Sequence, residues 1–109
     1  MPEHEETYQV IVSKRAAHQL ASQAAFVARL DEKLALALIE EFNVAAKSLR
    51  KFPYRYPALR SAEFVTEKYR KMIFSKRYIL IYQIKGDRVY IECVIDGRQD
   101  YQWLLDSLD

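Results

Sequence analysis

Five cations are the side chains of this chain best suited to chemistry on an anion. Arg70 and Lys71 follow Tyr69 in an apolar run, and Lys76 and Arg77 occupy a short basic turn after Ser75. Arg98 stands in the late segment Asp96-Gly97-Arg98-Gln99-Asp100. Such groups can hold phosphate or carboxylate. Binding an anion is not by itself catalysis, which also needs a base and an acid in place. His4 and His18 lie outside this region, and the single cysteine, Cys93, reads as a small core residue rather than a nucleophile. No metal-ligand spacing exists, and no cofactor is expected. A second basic stretch, Pro53-Tyr54-Arg55-Tyr56-Pro57, alternates rings with a cation. It could stack on bases and pair with phosphates, or its tyrosines could simply close the core after a helix.

Charge distribution sharpens this picture. Residues 47–77 carry ten Lys or Arg against Glu63 and Glu67, a local net of +8, while residues 1–46 and 78–109 each carry −3. A basic centre between acidic flanks suits an acidic or polyanionic partner. At 109 residues the chain predicts a single domain over 1–109, with residues 1–6 a flexible acidic tail. The longest apolar run, Leu34 to Ile39, is six residues, far short of the roughly 18 that a membrane span needs. One cysteine and no signal-peptide pattern place the chain in a reducing cytoplasm.

The elements that must position these cations follow from periodicity. Thr7 to Val12 is β-branched and aromatic, a first strand. Ser13 is the N-cap of a first helix whose stripe is Ala17, Leu20, Ala21, Ala24, Val27 and Ala28. Asp31 caps a second helix running to about Lys51, with Leu34, Leu38, Phe42, Ala45, Leu49 and Phe52 on one stripe and Pro53 as its stop. Residues 53 to about 67 read as a loop. Then come Tyr69–Phe74, Tyr78–Ile84 and, after a Gly86-Asp87 turn, Val89–Ile95. Alternation puts Ile91, Cys93 and Ile95 on one face of the last strand. Asp100 would cap a C-terminal segment holding Tyr101, Trp103, Leu104 and Leu105. The fold class is α+β: an N-terminal strand and an antiparallel helical hairpin packed on one face of a sheet that a three-stranded antiparallel meander completes.

This order resembles the RelE/ParE superfamily, the toxin halves of bacterial type II toxin–antitoxin (plasmid stabilisation) pairs. The likeness covers Tyr8 to about Leu105. It is sharpest at Tyr69-Arg70-Lys71, at Tyr78 to Ile84 and at Val94 to Asp100, after a hairpin ending Leu49-Arg50-Lys51-Phe52-Pro53. The resemblance implies one of two activities on one fold. RelE-like members are ribosome-dependent endoribonucleases, and ParE-like members inhibit DNA gyrase. A nuclease site here would use Arg70, Lys71 and Arg98. However, the family arginine of the third strand falls at Ile79, and the late tyrosine position falls near Trp103 or Leu104. Both departures favour the ParE-like side, a toxin that acts by binding.

On that reading Arg70, Lys76, Arg77 and Arg98 bind the target, DNA gyrase or alternatively the ribosome, and Tyr101 and Trp103 anchor a partner. Each has a plainer role beside it. Arg98 would pair with Asp96 or Asp100, Arg70 would bridge to a carboxylate, and Lys76 and Arg77 would be ordinary turn cations. The resemblance implies a cognate antitoxin, laying an extended or helical segment over sheet or hairpin with acids against the basic rim. It also implies a homodimer or a toxin–antitoxin hetero-oligomer. Direct nucleic-acid binding, and a non-toxic relative that keeps only partner binding, remain open.

Overall fold

The computed structural model describes residues 7–60 and 65–99. Strand β1 (Gln9–Val12) leads into helix α1 (Lys14–Ala28) and helix α2 (Glu32–Ser48). A 3-10 turn (Pro53–Arg55) then precedes strands β2 (Ala58–Arg60), β3 (Val65–Phe74), β4 (Tyr78–Lys85) and β5 (Arg88–Asp96). The five strands form one sheet in the order β1-β5-β4-β3-β2. β1 runs parallel to β5, and the other pairs are antiparallel. The helical hairpin covers one face, where Leu38, Phe42, Ala45 and Leu49 meet Met72, Phe74, Leu80 and Tyr82. Leu59, Tyr69, Ile79, Ile81, Cys93 and Ile95 form a second buried cluster. β4 is therefore central and buried on both faces, as its unbroken apolar run implies.

Local capping chemistry sets the helix starts. Ser13 Oγ accepts from the Ala16 amide at 3.0 Å, and Asp31 Oδ1 accepts from the Lys33 amide at 2.9 Å. Ser13 also donates to the Glu92 carbonyl at 3.1 Å, which ties the start of α1 to β5. Further along α1, Gln19 Oε1 accepts from the Val94 amide at 2.8 Å and Gln23 Nε2 donates to the Val94 carbonyl at 3.0 Å. β1 stops at Val12, opposite Ile91. The α1 side chains thus satisfy backbone groups on the stretch of β5 that β1 does not reach.

That tethering corrects the expected helix faces. In α1, Ala16 and Ala24 are buried, whereas Ala17 and Ala21 are exposed. The helix is turned so that its glutamines reach the strand: Leu20 and Ala24 of the expected stripe face the core, and Ala16 takes the place of Ala17 and Ala21. In α2, Ala35, Leu38, Phe42, Ala45 and Ala46 are buried, while Leu34 and Phe52 are 58% and 64% exposed. The helix also ends earlier than Lys51. Ser48 Oγ donates to the Ala45 carbonyl, and the amides of Leu49, Arg50 and Lys51 bond three residues back, tightening the chain out of α geometry. Pro53 then disfavours right-handed helical geometry at Phe52, which sits at φ 55° and ψ 49°.

Two strand expectations also change. The stretch expected as a loop contains the 3-10 turn and β2, and β3 begins at Val65 rather than Tyr69. Three residues with an irregular register on β3 leave no period to detect. In β5, Tyr82 faces Ile91 but Ile81 faces Cys93, so Glu92 is an extra residue that slips the alternation. Val89, Ile91 and Val94 consequently join the helix-side cluster, and only Cys93 and Ile95 join the opposite one. The Gly86-Asp87 turn is as expected, with Gly86 at φ 60° and Lys85 facing Arg88. Tyr101, Trp103 and the segment that Asp100 would cap lie outside the described residues, as does the acidic tail over 1–6. Among the described residues no helix is long and apolar enough to cross a membrane.

Ser13 carries both a cap and an inter-element tether. Ser13→Ala should lower stability by about 1–2 kcal/mol in denaturant unfolding, more than an isolated surface cap. Ser13→Asp should recover the cap but not the donated bond to Glu92.

Candidate functional site

The described cations fall into separate places. Residues paired across antiparallel strands share a face, so Arg70, opposite Tyr82, lies on the helix side, and Lys71, opposite Ile81, lies on the other. Arg70 Nη1 donates to the carbonyls of Tyr56 at 2.6 Å and Tyr54 at 3.2 Å, and its guanidinium lies 5.1 Å from the Tyr54 ring centre. It bridges to backbone carbonyls, not to a carboxylate, and fastens the 3-10 turn to β3. Nearby, Tyr82 Oη donates to the Pro53 carbonyl at 2.5 Å, and burial pushes its phenol well above the ordinary tyrosine value. Tyr82 is thus a core residue and a weaker acid than an ordinary tyrosine.

The other end of the sheet is where Lys76, Arg77 and Arg98 gather. Phe74 faces Tyr78, leaving a three-residue loop with Ser75 at φ 49° and Lys76 at φ 72°. Left-handed geometry at non-glycine residues costs on the order of 1 kcal/mol or more each. It aims the loop back over the sheet end, where the Arg77 carbonyl accepts from the Gly97 amide at 2.7 Å. Asp96 then serves both arginines: Arg98 Nη2 is 3.3 Å and Arg77 Nε is 3.7 Å from its Oδ2. The Arg98 amide also donates to Asp96 Oδ1 at 3.0 Å. Burial would raise the Asp96 carboxyl, but the hydrogen bonds from Arg98 and the charges of both arginines bring it below the usual carboxylate value. Arg77 further donates to Tyr78 Oη at 3.1 Å. Arg98, expected to bind a target, is thus also ion-paired with Asp96 while remaining 66% exposed.

A groove leads from this charged end along α2. Its first part, about 320 Å³, lies between Val27, Leu34 and Leu38 on the helices and Ser75, Lys76 and Arg77 on the turn. Its second part, about 340 Å³, lies between Val44 and Ser48 on α2 and Tyr56, Met72 and Phe74 on the sheet side. Glu41 and Ser75 line both parts. Leu34, Glu41, Val44 and Ser48 recur at helical spacing, so one side of α2 forms one wall. Leu34 and Val44 are 58% and 64% exposed. Sequence pattern alone does not reveal this wall, because Leu34 falls on the stripe expected to face the core. The available signal was an apolar stripe wider than one sheet face needs.

Gly97 closes the charged end by contact. A Cβ there would stand 2.7 Å from the Arg77 carbonyl oxygen and 3.1 Å from Ile79 Cδ1. Gly97→Ala should therefore cost about 1–3 kcal/mol in thermal or denaturant unfolding, with the β3–β4 turn displaced. Asp96→Asn tests the carboxylate. Because the folded value is lowered, its stabilisation is present above the unfolded carboxyl value, about 3.9, and fades as pH falls through the folded one. Asp96→Asn should lose about 1 kcal/mol at neutral pH, with the deficit vanishing in acid.

Comparison with known proteins accords with this architecture. A chain described as "Chromosomal ParDE TA system from P. aeruginosa" superposes with a TM-score of 0.70 at 14% identity, covering 84% of this chain and 97% of that one. At that identity the likeness speaks for the fold. No curated protein sequence matches. The family model for the ParE toxin of the type II toxin–antitoxin system, parDE, matches residues 10–101. That span runs from β1 through the Asp96–Arg98 end of the sheet, and the chain belongs to the ParE toxin family.

Proposed function

We propose that this protein acts as a toxin by binding its target, with DNA gyrase the target in view, rather than by cleaving RNA. The observation that carries this reading is that two of the three cations a nuclease would turn on a phosphate, Arg70 and Arg98, are held by the protein itself. Arg70 is spent on the Tyr54 and Tyr56 carbonyls, and Arg77 and Arg98 share Asp96. Lys71 lies on the opposite face from Arg70, so Arg70, Lys71 and Arg98 do not converge. Ile79, at the position of the nuclease family's arginine, is buried beneath Gly97. Lys76 and the exposed parts of Arg77 and Arg98 then form a positive docking end, net positive even after Asp96 is counted.

Membership in the ParE family implies an antitoxin partner. We assign its docking segment to the α2 groove, as an amphipathic stretch placing apolar side chains against Leu34 and Val44 and acids near Lys76 and Arg77. Glu41, midway along the groove, asks for a donor at that point of the partner. The work of both proteins would take place in the cytoplasm.

Purified protein should inhibit supercoiling by gyrase in a dose-dependent manner, and Arg77→Ala with Arg98→Ala should weaken inhibition at least about tenfold, the loss of a paired charge contact. Normal supercoiling at saturating toxin would sink the gyrase target, and codon-phased cleavage on ribosomes would replace it with nuclease action. Leu34→Glu or Val44→Glu should leave growth arrest intact while abolishing rescue by the co-expressed neighbouring antitoxin gene.

A further inference from the structure

We propose that the corner where α2 gives way to the sheet, residues 47–55, is a binding surface for single-stranded nucleic acid. Phe52 is the starting point. Its backbone is left-handed, at φ 55°, where glycine would sit without strain, and its ring is 64% exposed. Neither backbone geometry nor core burial accounts for a phenylalanine there, so the ring serves something outside the domain. Two residues on, Tyr54 is 58% exposed, and its ring is steadied from the protein side by the Arg70 guanidinium. Because Arg70 is itself fixed on the Tyr54 and Tyr56 carbonyls, this ring is a rigid platform.

Exposed cations neighbour the two rings along the chain. Lys47 and Arg50 border a depression with Thr7 and Ser48, and Arg55 lies 5.0 Å from the Tyr56 ring centre. No carboxylate among the described residues pairs with Lys47, Arg50 or Arg55. The negative end of α2 is equivalent to about half a charge, so it explains less than one of the three. Exposed rings alternating in sequence with cations that pair with no carboxylate of the described residues match unstacked bases on a phosphate chain. A purely acidic peptide would use the cations and leave the rings idle, and a duplex would hide its base faces from them. The register sets this corner apart from the charged end near Arg98. Arg70 and Phe74 are four residues apart on β3, about 13 Å at strand rise. The inference does not rest on the gyrase reading.

The test is fluorescence anisotropy of the full-length protein with a labelled oligothymidylate of about 12 nucleotides. Binding should weaken between about 50 and 200 mM salt with a log–log slope near −2, as three phosphate contacts on a single strand give. A duplex of equal length should bind more weakly. Phe52→Gly should keep or raise the melting temperature, by relieving the left-handed strain, yet weaken binding at least about fivefold. Tyr54→Ala should weaken it similarly, and Lys47→Gln or Arg50→Gln should flatten the slope by about 0.7 each. Absence of binding at the lower salt would overturn the proposal, as would affinity unchanged in both Phe52→Gly and Tyr54→Ala. Competition by polyglutamate as strong as by the oligonucleotide would also overturn it, assigning the surface to an acidic protein segment.

Discussion

The extra residue in β5 is the constraint on which the rest of this structure depends. Up to Ile91 the strand has β1 on one side and β4 on the other. Beyond it β1 has ended, and one residue, Glu92, has been added opposite β4. Backbone groups left there would be costly if buried unpaired. Ser13, Gln19 and Gln23 of α1 take up the Glu92 carbonyl and both polar groups of Val94. This fixes how α1 lies along the sheet. It also puts Val94 under the helices and delivers Asp96 and Gly97 against the β3–β4 turn.

The chemistry at that turn follows from the arrival of one carboxylate between two guanidinium groups. Asp96 fixes where Arg77 and Arg98 stand, and in doing so lowers their readiness to grip a phosphate. Under the proposed binding role, a positioned pair whose charge is partly answered serves recognition rather than catalysis. The neighbouring groove supplies what such an element lacks, an apolar wall on α2 that the domain leaves uncovered. Exposed leucine and valine at helical spacing beside a basic turn are the features on which the proposed antitoxin docking rests.

Much of the fold was legible because its signals are local. Ser13 and Asp31 cap helices through atoms two or three residues away, and Gly86 takes its positive φ within its own turn. The unbroken run of β4 needs only its own residues to announce burial on both faces. What could not be read were quantities set by partners distant in sequence. The rotation of α1, which buries Ala16 and exposes Ala17, is decided by hydrogen bonds spanning about seventy residues. Arg70 was expected to meet a carboxylate and meets two carbonyls of a turn whose position depends on Tyr82. β2 is three residues paired irregularly, too little to leave a period.

For the site, the residue types and their order along the chain established the family, the α+β order and the cationic character of the sheet end. Tertiary structure alone decided which cations act together. Arg77 and Arg98, twenty-one positions apart, share one carboxylate, while the adjacent Arg70 and Lys71 face opposite sides of the sheet. The physical reason is that strand geometry alternates neighbours between faces and antiparallel pairing unites distant residues at strand ends. Sequence order therefore carries composition faithfully, while proximity is created only when the strands pair.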